Sequence, residues 1–312
     1  MPVAKSDLSD LMVPGLRAEF ALAYRSELDQ SVAEQIATII QTTKPIQKYG
    51  WLGAPPPMRE FLDERRPSGL GVASATIEDK VFESSLAVER RAMEDDQLEL
   101  IRLRVRDLAF RVATHRQQMV VEALSNGATA LAYDGQTFFN TGRTLPTGAT
   151  WANRTLDPLS AGALATGINQ MMLVPDDTGT PLGISPDTLV VGPKNQWLAT
   201  ELLQSPVVVY KGNITDTSGA TPYLNAFHGR FRLLVSPFLQ GLTDDHWFLL
   251  DTKRPIRGVI LQQRSDVPVE FSAMEAGNGS DSAWFRDRYH YGVRARYNVG
   301  YGLWQTAYAG LL

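Results

Sequence analysis

The residues with the clearest potential for chemistry are Asp177-Thr178-Gly179, the tripeptide that supplies a water-activating carboxylate in aspartic proteases. That chemistry needs two such carboxylates facing each other and sharing one proton. The chain holds a single copy, so catalysis would require a dimer. Pro175-Asp176 before it and Thr180-Pro181 after it are turn formers, and a plain turn is the simpler reading. The four histidines, His115, His228, His246 and His290, are scattered, and none stands at a zinc-binding spacing. Asp244-Asp245-His246 gathers metal-ligand types in one place, but as an isolated run it reads as a solvated loop. There is no cysteine, which excludes disulfides, thiolate catalysis and Cys-zinc sites. A Walker loop, a nucleophile elbow and a dinucleotide fingerprint are all missing from the sequence. These features assign no catalytic residue, no metal ligand and no cofactor.

Recognition is better represented than catalysis. Tyr49-Gly-Trp-Leu-Gly-Ala-Pro-Pro-Pro-Met-Arg-Glu-Phe-Leu-Asp-Glu-Arg-Arg66 combines two glycines, three prolines, an indole and six charges. Gly and Pro fix its turns, and its mixture of Trp, Met, Phe and Arg suits grip on another protein surface. Across the chain, 23 arginines outnumber seven lysines. Arginine favours interfacial ion pairs because its planar fork binds carboxylates bidentately, although GC-rich codon usage produces the same bias. The net charge of −4 creates no general field for nucleic acid or an anionic membrane. No apolar run reaches the roughly 20 residues that a membrane span needs. The N-terminus lacks the apolar core of a signal peptide, so the protein is expected to be made and kept in a cytoplasm or to leave by a route that needs no signal.

The elements that must carry these segments follow from periodicity. Residues 6–40 read as helical, with Ser6 or Asp7 as a cap and Pro14-Gly15 as a break. Either an arm lying on a neighbour or a plain first core helix fits them. Residues 45–94 read as extended, most simply as a two-stranded hairpin. Between 94 and 126, Ile101, Val105, Leu108, Val112, Met119, Val120, Ala123 and Leu124 form one apolar stripe on a long helix, ended by Asn126-Gly127. Arg102, Arg104, Arg106, Arg111 and Arg116 decorate it, as a solvated face or as contacts to acidic partners or packaged nucleic acid. From 158 to 250 helix and strand patterns alternate in a mixed unit. Finally, Tyr291, Val293, Ala295, Tyr297, Val299, Tyr301 and Leu303 alternate with polar or small residues, the period of one half-buried strand.

Two segments carry a family resemblance. Tyr49-Gly-Trp-Leu-Gly53 followed by Met58-Arg-Glu-Phe61, and Tyr133-Asp-Gly-Gln136 followed by Phe138-Phe139, resemble motifs of the major head proteins of Mu-like phages and prophages. Asp177 to Val191 and the helix after it resemble a more generic stretch of tailed-phage capsid proteins. The likeness runs in order from about residue 45 to 250. It departs at Phe138-Phe-Asn-Thr-Gly-Arg143, where the family often has an acidic residue and a histidine.

The resemblance implies an α+β fold of the Hong Kong 97 capsid type. It implies an N-terminal arm over 1–45, an extended E-loop hairpin over 46–94, and a peripheral domain over 95–154 with a spine helix at 95–126. An axial α/β domain would span 155–275, and 276–312 would return to the peripheral domain. It further implies a non-enzymatic major capsid protein of the virion, assembled in the bacterial host cytoplasm into hexamers and pentamers of an icosahedral head. The partners implied are other copies, scaffold, portal and decoration proteins, and packaged double-stranded DNA bound nonspecifically, with no membrane. Candidate contacts between subunits are Trp51, Met58, Arg59, Phe61, Asp63, Glu64, Arg65 and Arg66. The arginines at 102, 104, 106, 111 and 116 are the candidates for facing DNA. Lys80 and Asn298 have the residue types of the crosslink made by some relatives of the fold, without a motif to assign it. The competing functions are a hydrolase or protease built on 155–275, and a minor virion or decoration protein.

Overall fold

The computed structural model describes residues 5–52, 72–89, 98–176, 179–209, 222–266, 269–274 and 288–312. The apolar stripe of the central segment becomes α3, as numbered here in chain order (Leu98–Ser125). Its Ile101, Val105, Leu108, Val112, Val120 and Leu124 are buried. At ~1.5 Å per residue α3 is about 42 Å long. A 3-10 turn at Asn126–Ala128 ends it. Gly127 is required there, since a Cβ would stand 2.5 Å from Phe139 Cδ2.

Residues 5–42 depart from a single helix. α1 (Lys5–Gln30) runs through Pro14 without a break and already includes Ser6 and Asp7, so neither caps it. Ser31 caps the short α2 (Val32–Ile36), its Oγ accepting from the Ala33 N–H at 3.2 Å. The chain then turns into β1 (Ala37–Thr42), where the β-branched Thr38, Ile39 and Ile40 favour a pleated surface over a helix.

Two five-stranded sheets organise the rest. The first is built on β15 (Arg288–Tyr301), the alternating strand, whose Tyr291, Val293, Ala295 and Tyr297 are buried. β4 (Lys80–Glu89) pairs antiparallel along one side of it, from Tyr297↔Lys80 to Arg288↔Glu89. β13 (Val259–Arg264) and β14 (Val269–Met274) share its other side in succession, and β1 adds parallel to β13. α1 and α3 pack together on this sheet, Leu16 and Phe20 joining Ile101, Val105, Leu108, Phe271 and Val293 in one cluster.

The second sheet has the order β11-β8-β12-β16-β7: Arg232–Val235, Thr188–Val191, Trp247–Leu250, Ala307–Gly310 and Arg154–Thr155. α4 (Ala161–Leu173), capped by Ser160, and α5 (Gln196–Gln204) pack on it. Short ribbons complete the fold: β2–β3 (Ile46–Leu52, Val72–Glu78), β5–β6 (Arg143–Thr144, Thr150–Trp151) and β9–β10 (Val207–Val209, Pro222–Leu224).

Strand pairing crosses three of the expected boundaries. The hairpin of 46–94 is shorter than expected, because Lys80–Glu89 belongs to the first sheet. The 155–275 unit loses β13 and β14 to that same sheet. The final segment does not stay there either, since β16 pairs with β12 and β7 in the second sheet. All three crossings come from strand pairing between distant segments, which local periodicity does not encode.

Candidate assembly surfaces

The root of the β2–β3 ribbon is keyed to the first sheet. Tyr49 Oη donates to Gln262 Oε1 at 2.7 Å, and burial pushes the phenol up to about 12. Ile77 is buried with Ile260 in a small apolar cluster. Gly300 makes the space for it, because a Cβ on that residue would lie 2.4 Å from Ile77 Cδ1. Just beyond β3, Asp79 accepts from Arg296 Nε at 2.8 Å, and Asn298 Nδ2 donates to the Glu78 carbonyl at 2.6 Å. The Asn298 amide is therefore engaged within its own copy. Trp51 sits opposite Ala73 in the ribbon's register. Met58, Arg59, Phe61, Asp63, Glu64, Arg65 and Arg66 lie outside the described residues.

The five α3 arginines separate into different environments. Arg102 pairs with Glu99 at 2.9 Å and Arg106 pairs with Glu19 of α1, both in exposed settings. Arg104 and Arg111 are exposed. Arg116 differs from all four, and its expected approach to DNA is corrected by its burial at 2% exposure. Its Nη1 donates to Tyr24 Oη at 2.8 Å, and its Nη2 donates to Glu34 Oε1 at 3.0 Å and Gln263 Oε1 at 3.1 Å. One guanidinium thus joins α1, α2, α3 and β13. Burial raises the Glu34 carboxyl above its usual range, against the opposing pull of Arg116. The signal for this burial was present in the sequence: position 116 lies four residues from both Val112 and Val120, in phase with the apolar stripe.

A second buried arginine was missed by sequence reasoning. Arg143 donates to Asp134, in the Tyr133-Asp-Gly-Gln136 segment, and to the carbonyls of Thr137 and Phe138. Its guanidinium carbon stands 4.4 Å from the Trp304 ring centroid, a cation–π stack. It ties the loop after α3 to the C-terminal segment, beside the fully buried Phe138 and Phe139.

Among the described residues the candidates for chemistry are not drawn into one site. Asp177 and Thr178 lie outside the described residues, and their flanks close a turn through Asp176 N–H to Thr180 O at 2.7 Å. Asp244 and Asp245 both accept from Lys194 Nζ, at 3.3 and 2.6 Å. His246 is buried with Nε2 3.3 Å from the Leu312 carbonyl, and His115 lies 2.7 Å from Tyr297 Oη; burial lowers the pKa of both imidazoles. Among the described residues no three His, Cys, Asp or Glu side chains gather as a metal site.

The arrangement is one of keyed seams between segments, and comparison with known proteins gives it a context. A family model described as Mu-like prophage major head subunit gpT matches residues 10–155, 149–239 and 235–311. The chain belongs to this family. A relative, the Mu-like prophage FluMu major head subunit of Haemophilus influenzae, is 23% identical over 96% of this chain and 72% of its own length. The major capsid protein of Escherichia phage Mu is 27% identical over 34% of this chain and 35% of its own. Among solved structures, the procapsid of bacteriophage JBD30 aligns with a TM-score of 0.55 and 24% identity, over 97% of this chain and 75% of that one. The mature capsid of bacteriophage PhiM1 aligns at 0.54 with 11% identity, over 89% and 86% of the two chains. The fold is accordingly the Hong Kong 97 type, α+β. As a gpT-family major head subunit, the protein is a structural component of the virion that forms the head shell, and not an enzyme.

Proposed function

We propose that copies of this subunit close into hexamers and pentamers, which tile an icosahedral shell around packaged double-stranded DNA. The observation that carries the reading is the keyed β2–β3 ribbon of a chain that matches the head-subunit family from residue 10 to 311. A two-stranded ribbon alone is marginally stable in water, which favours a neighbouring copy as its support. Trp51, Met58, Arg59, Phe61, Asp63, Glu64, Arg65 and Arg66 are the contacts we assign to that neighbour. In this reading α1 and α2 belong to the N-terminal arm, α3 is the spine of the peripheral domain, and the second sheet is the core of the axial domain. Many moderate contacts then add through multivalency, so none must be strong alone. Arg102, Arg104, Arg106 and Arg111 are the candidates for the inner surface, touching phosphates without sequence preference and weakening with salt. Scaffold, portal and decoration proteins are the expected partners, and assembly takes place in the bacterial host cytoplasm.

Negative-stain electron microscopy beside size-exclusion chromatography tests the reading. Uniform rings, shells or tubes are expected from the purified chain or from coexpression with a scaffold. A strictly monomeric species under both conditions, across salt and concentration, would reject it.

A further inference from the structure

We propose that the outer edge of β4, with the groove between it and α3, takes an extended acidic peptide of another protein as an added strand. The inference concerns the single subunit and goes beyond the shell reading. β4 ends the first sheet: β15 pairs with it along Lys80–Glu89, and among the described residues no strand pairs with its other side. In an antiparallel strand every second residue turns its N–H and C=O away from the partner. The far side of β4 is therefore a row of open donors and acceptors. Proteins protect such an edge with proline, a bulge, a short strand or a charge in mid-strand. β4 has ten residues and an unbroken register, and it lacks proline. Its Ser84-Ser85-Leu86-Ala87-Val88 run carries no charge, and no residue of the strand is buried. Another strand is the occupant that answers every open group of such an edge.

A pocket beside this edge supplies side-chain specificity. Between α3 and the last two strands lies a cavity of about 240 Å³, lined in part by Phe82, Ser84, Arg111, Val112, His115 and Tyr297. The Phe82 ring centroid stands 4.6 Å from that of His115 and 5.0 Å from that of Tyr297, so the lining suits one large apolar side chain. Arg111 is exposed at the cavity. Arg104, also exposed, lies close to two helical turns earlier and shares that side of α3. Among the described residues neither guanidinium has an ion-pair partner. Glu83 also borders the cavity, but strand alternation turns its side chain to the other face from Phe82 and Ser84, opposite Arg294 in the ladder. An added strand likewise alternates its faces. A residue seated in the pocket thus has its second neighbours on both sides facing α3, where carboxylates would pair with the arginines. The recognised pattern is acidic–x–apolar–x–acidic. The phosphates assigned above to Arg104 and Arg111 would compete with it.

Fluorescence polarisation of the whole unassembled chain tests this with labelled Thr-Glu-Thr-Phe-Thr-Glu-Thr and its central Leu and Ala variants. The Phe and Leu peptides should bind saturably, about tenfold more tightly than the Ala peptide or a peptide with Lys for Glu. Methylating the amides of alternate residues blocks one edge of a peptide strand. Of the two alternately methylated Phe peptides, one should lose about tenfold and the other should bind like the parent. Arg111→Glu should keep the wild-type melting temperature and weaken the Phe peptide about tenfold. Three results would each overturn the proposal: no saturable binding of the Phe or Leu peptide, equal behaviour of the two methylated forms, or unchanged affinity in Arg111→Glu. The methylation pair uses the wild-type chain, so it decides the matter even if the variant folds poorly. A dimer of the peptide-free chain that Ala87→Lys dissolves would give the edge to a second copy and overturn the proposal as well.

Discussion

In the second sheet every side chain of β8, β12 and β16 is buried, and contact among Leu189, Val190, Phe248 and Leu249 holds the layers together. In the first sheet no residue of β4 is buried, and besides the apolar cluster beneath α1 and α3 the segments packed on it carry polar keys: Arg116 on Tyr24, Glu34 and Gln263, Tyr49 on Gln262, Arg296 on Asp79. Apolar burial is strong and non-directional, so it makes a block. Buried polar keys add little net stability but penalise every arrangement that leaves them unpaired, so they specify position. A subunit with both has one part that resists deformation and another whose arm and ribbon occupy defined seats.

Breaking the block should have the largest effect. Leu189→Ala is expected to cost about 3 kcal/mol, in the range for a fully buried leucine. The measurement is a denaturant melt of the unassembled subunit, and a loss below ~1 kcal/mol would mean that the sheet is less tightly packed than its burial indicates. Arg116→Ala should cost less, about 2 kcal/mol, because Glu34 keeps some access to water. The sharper readout is local: hydrogen exchange should accelerate in α1 and α2 while the amides of β8 and β12 keep their protection. Uniform acceleration across both sheets would erase the distinction between block and key.

The smallest effect expected is pH dependence. Burial lowers the imidazole pKa of His115 in the first-sheet seam and of His246 beside β12. Each therefore contributes stability that is present above the unfolded value near 6.5 and is lost as pH falls through the lower folded value. Replacing His115 by Gln should flatten this acid-side slope by a few tenths of a kcal/mol, leaving the part due to His246. Glu34 runs the other way: its raised carboxyl contributes stability below its unfolded value and loses it as pH rises through the folded one. Melts at closely spaced pH values on wild type, His115→Gln and Glu34→Gln separate the three; an unchanged slope in His115→Gln would remove the imidazole from the account.

Much of this fold was legible in the residues, and the illegible part has a physical cause. The stripe from Ile101 to Leu124 defined α3, and the alternation from Tyr291 to Tyr301 defined β15, because both patterns are local. The partners of β15 were not legible. Nothing in Lys80–Glu89 distinguishes one arm of a ribbon from a strand of the main sheet, and nothing in Ala307–Gly310 says that it crosses to the second sheet. Among the arginines, counting charges placed Arg116 with its neighbours, whereas helical phase would have separated it. Arg143 left no periodic trace, because its partners are loop carbonyls and the face of Trp304.

The seat of Ile77 over Gly300 has a mechanical consequence. Each described arm of the ribbon has seven residues. At ~3.3 Å per residue such an arm reaches about 23 Å from end to end. Two contacts hold it near its root: Ile77 over Gly300, and Tyr49 on Gln262. Tyr49 stands opposite Ala75, two residues along from Ile77, so the two contacts set the ribbon's heading as well as its position. A side chain at position 300 would lift one of these two points and re-aim the ribbon, so the glycine sets its direction.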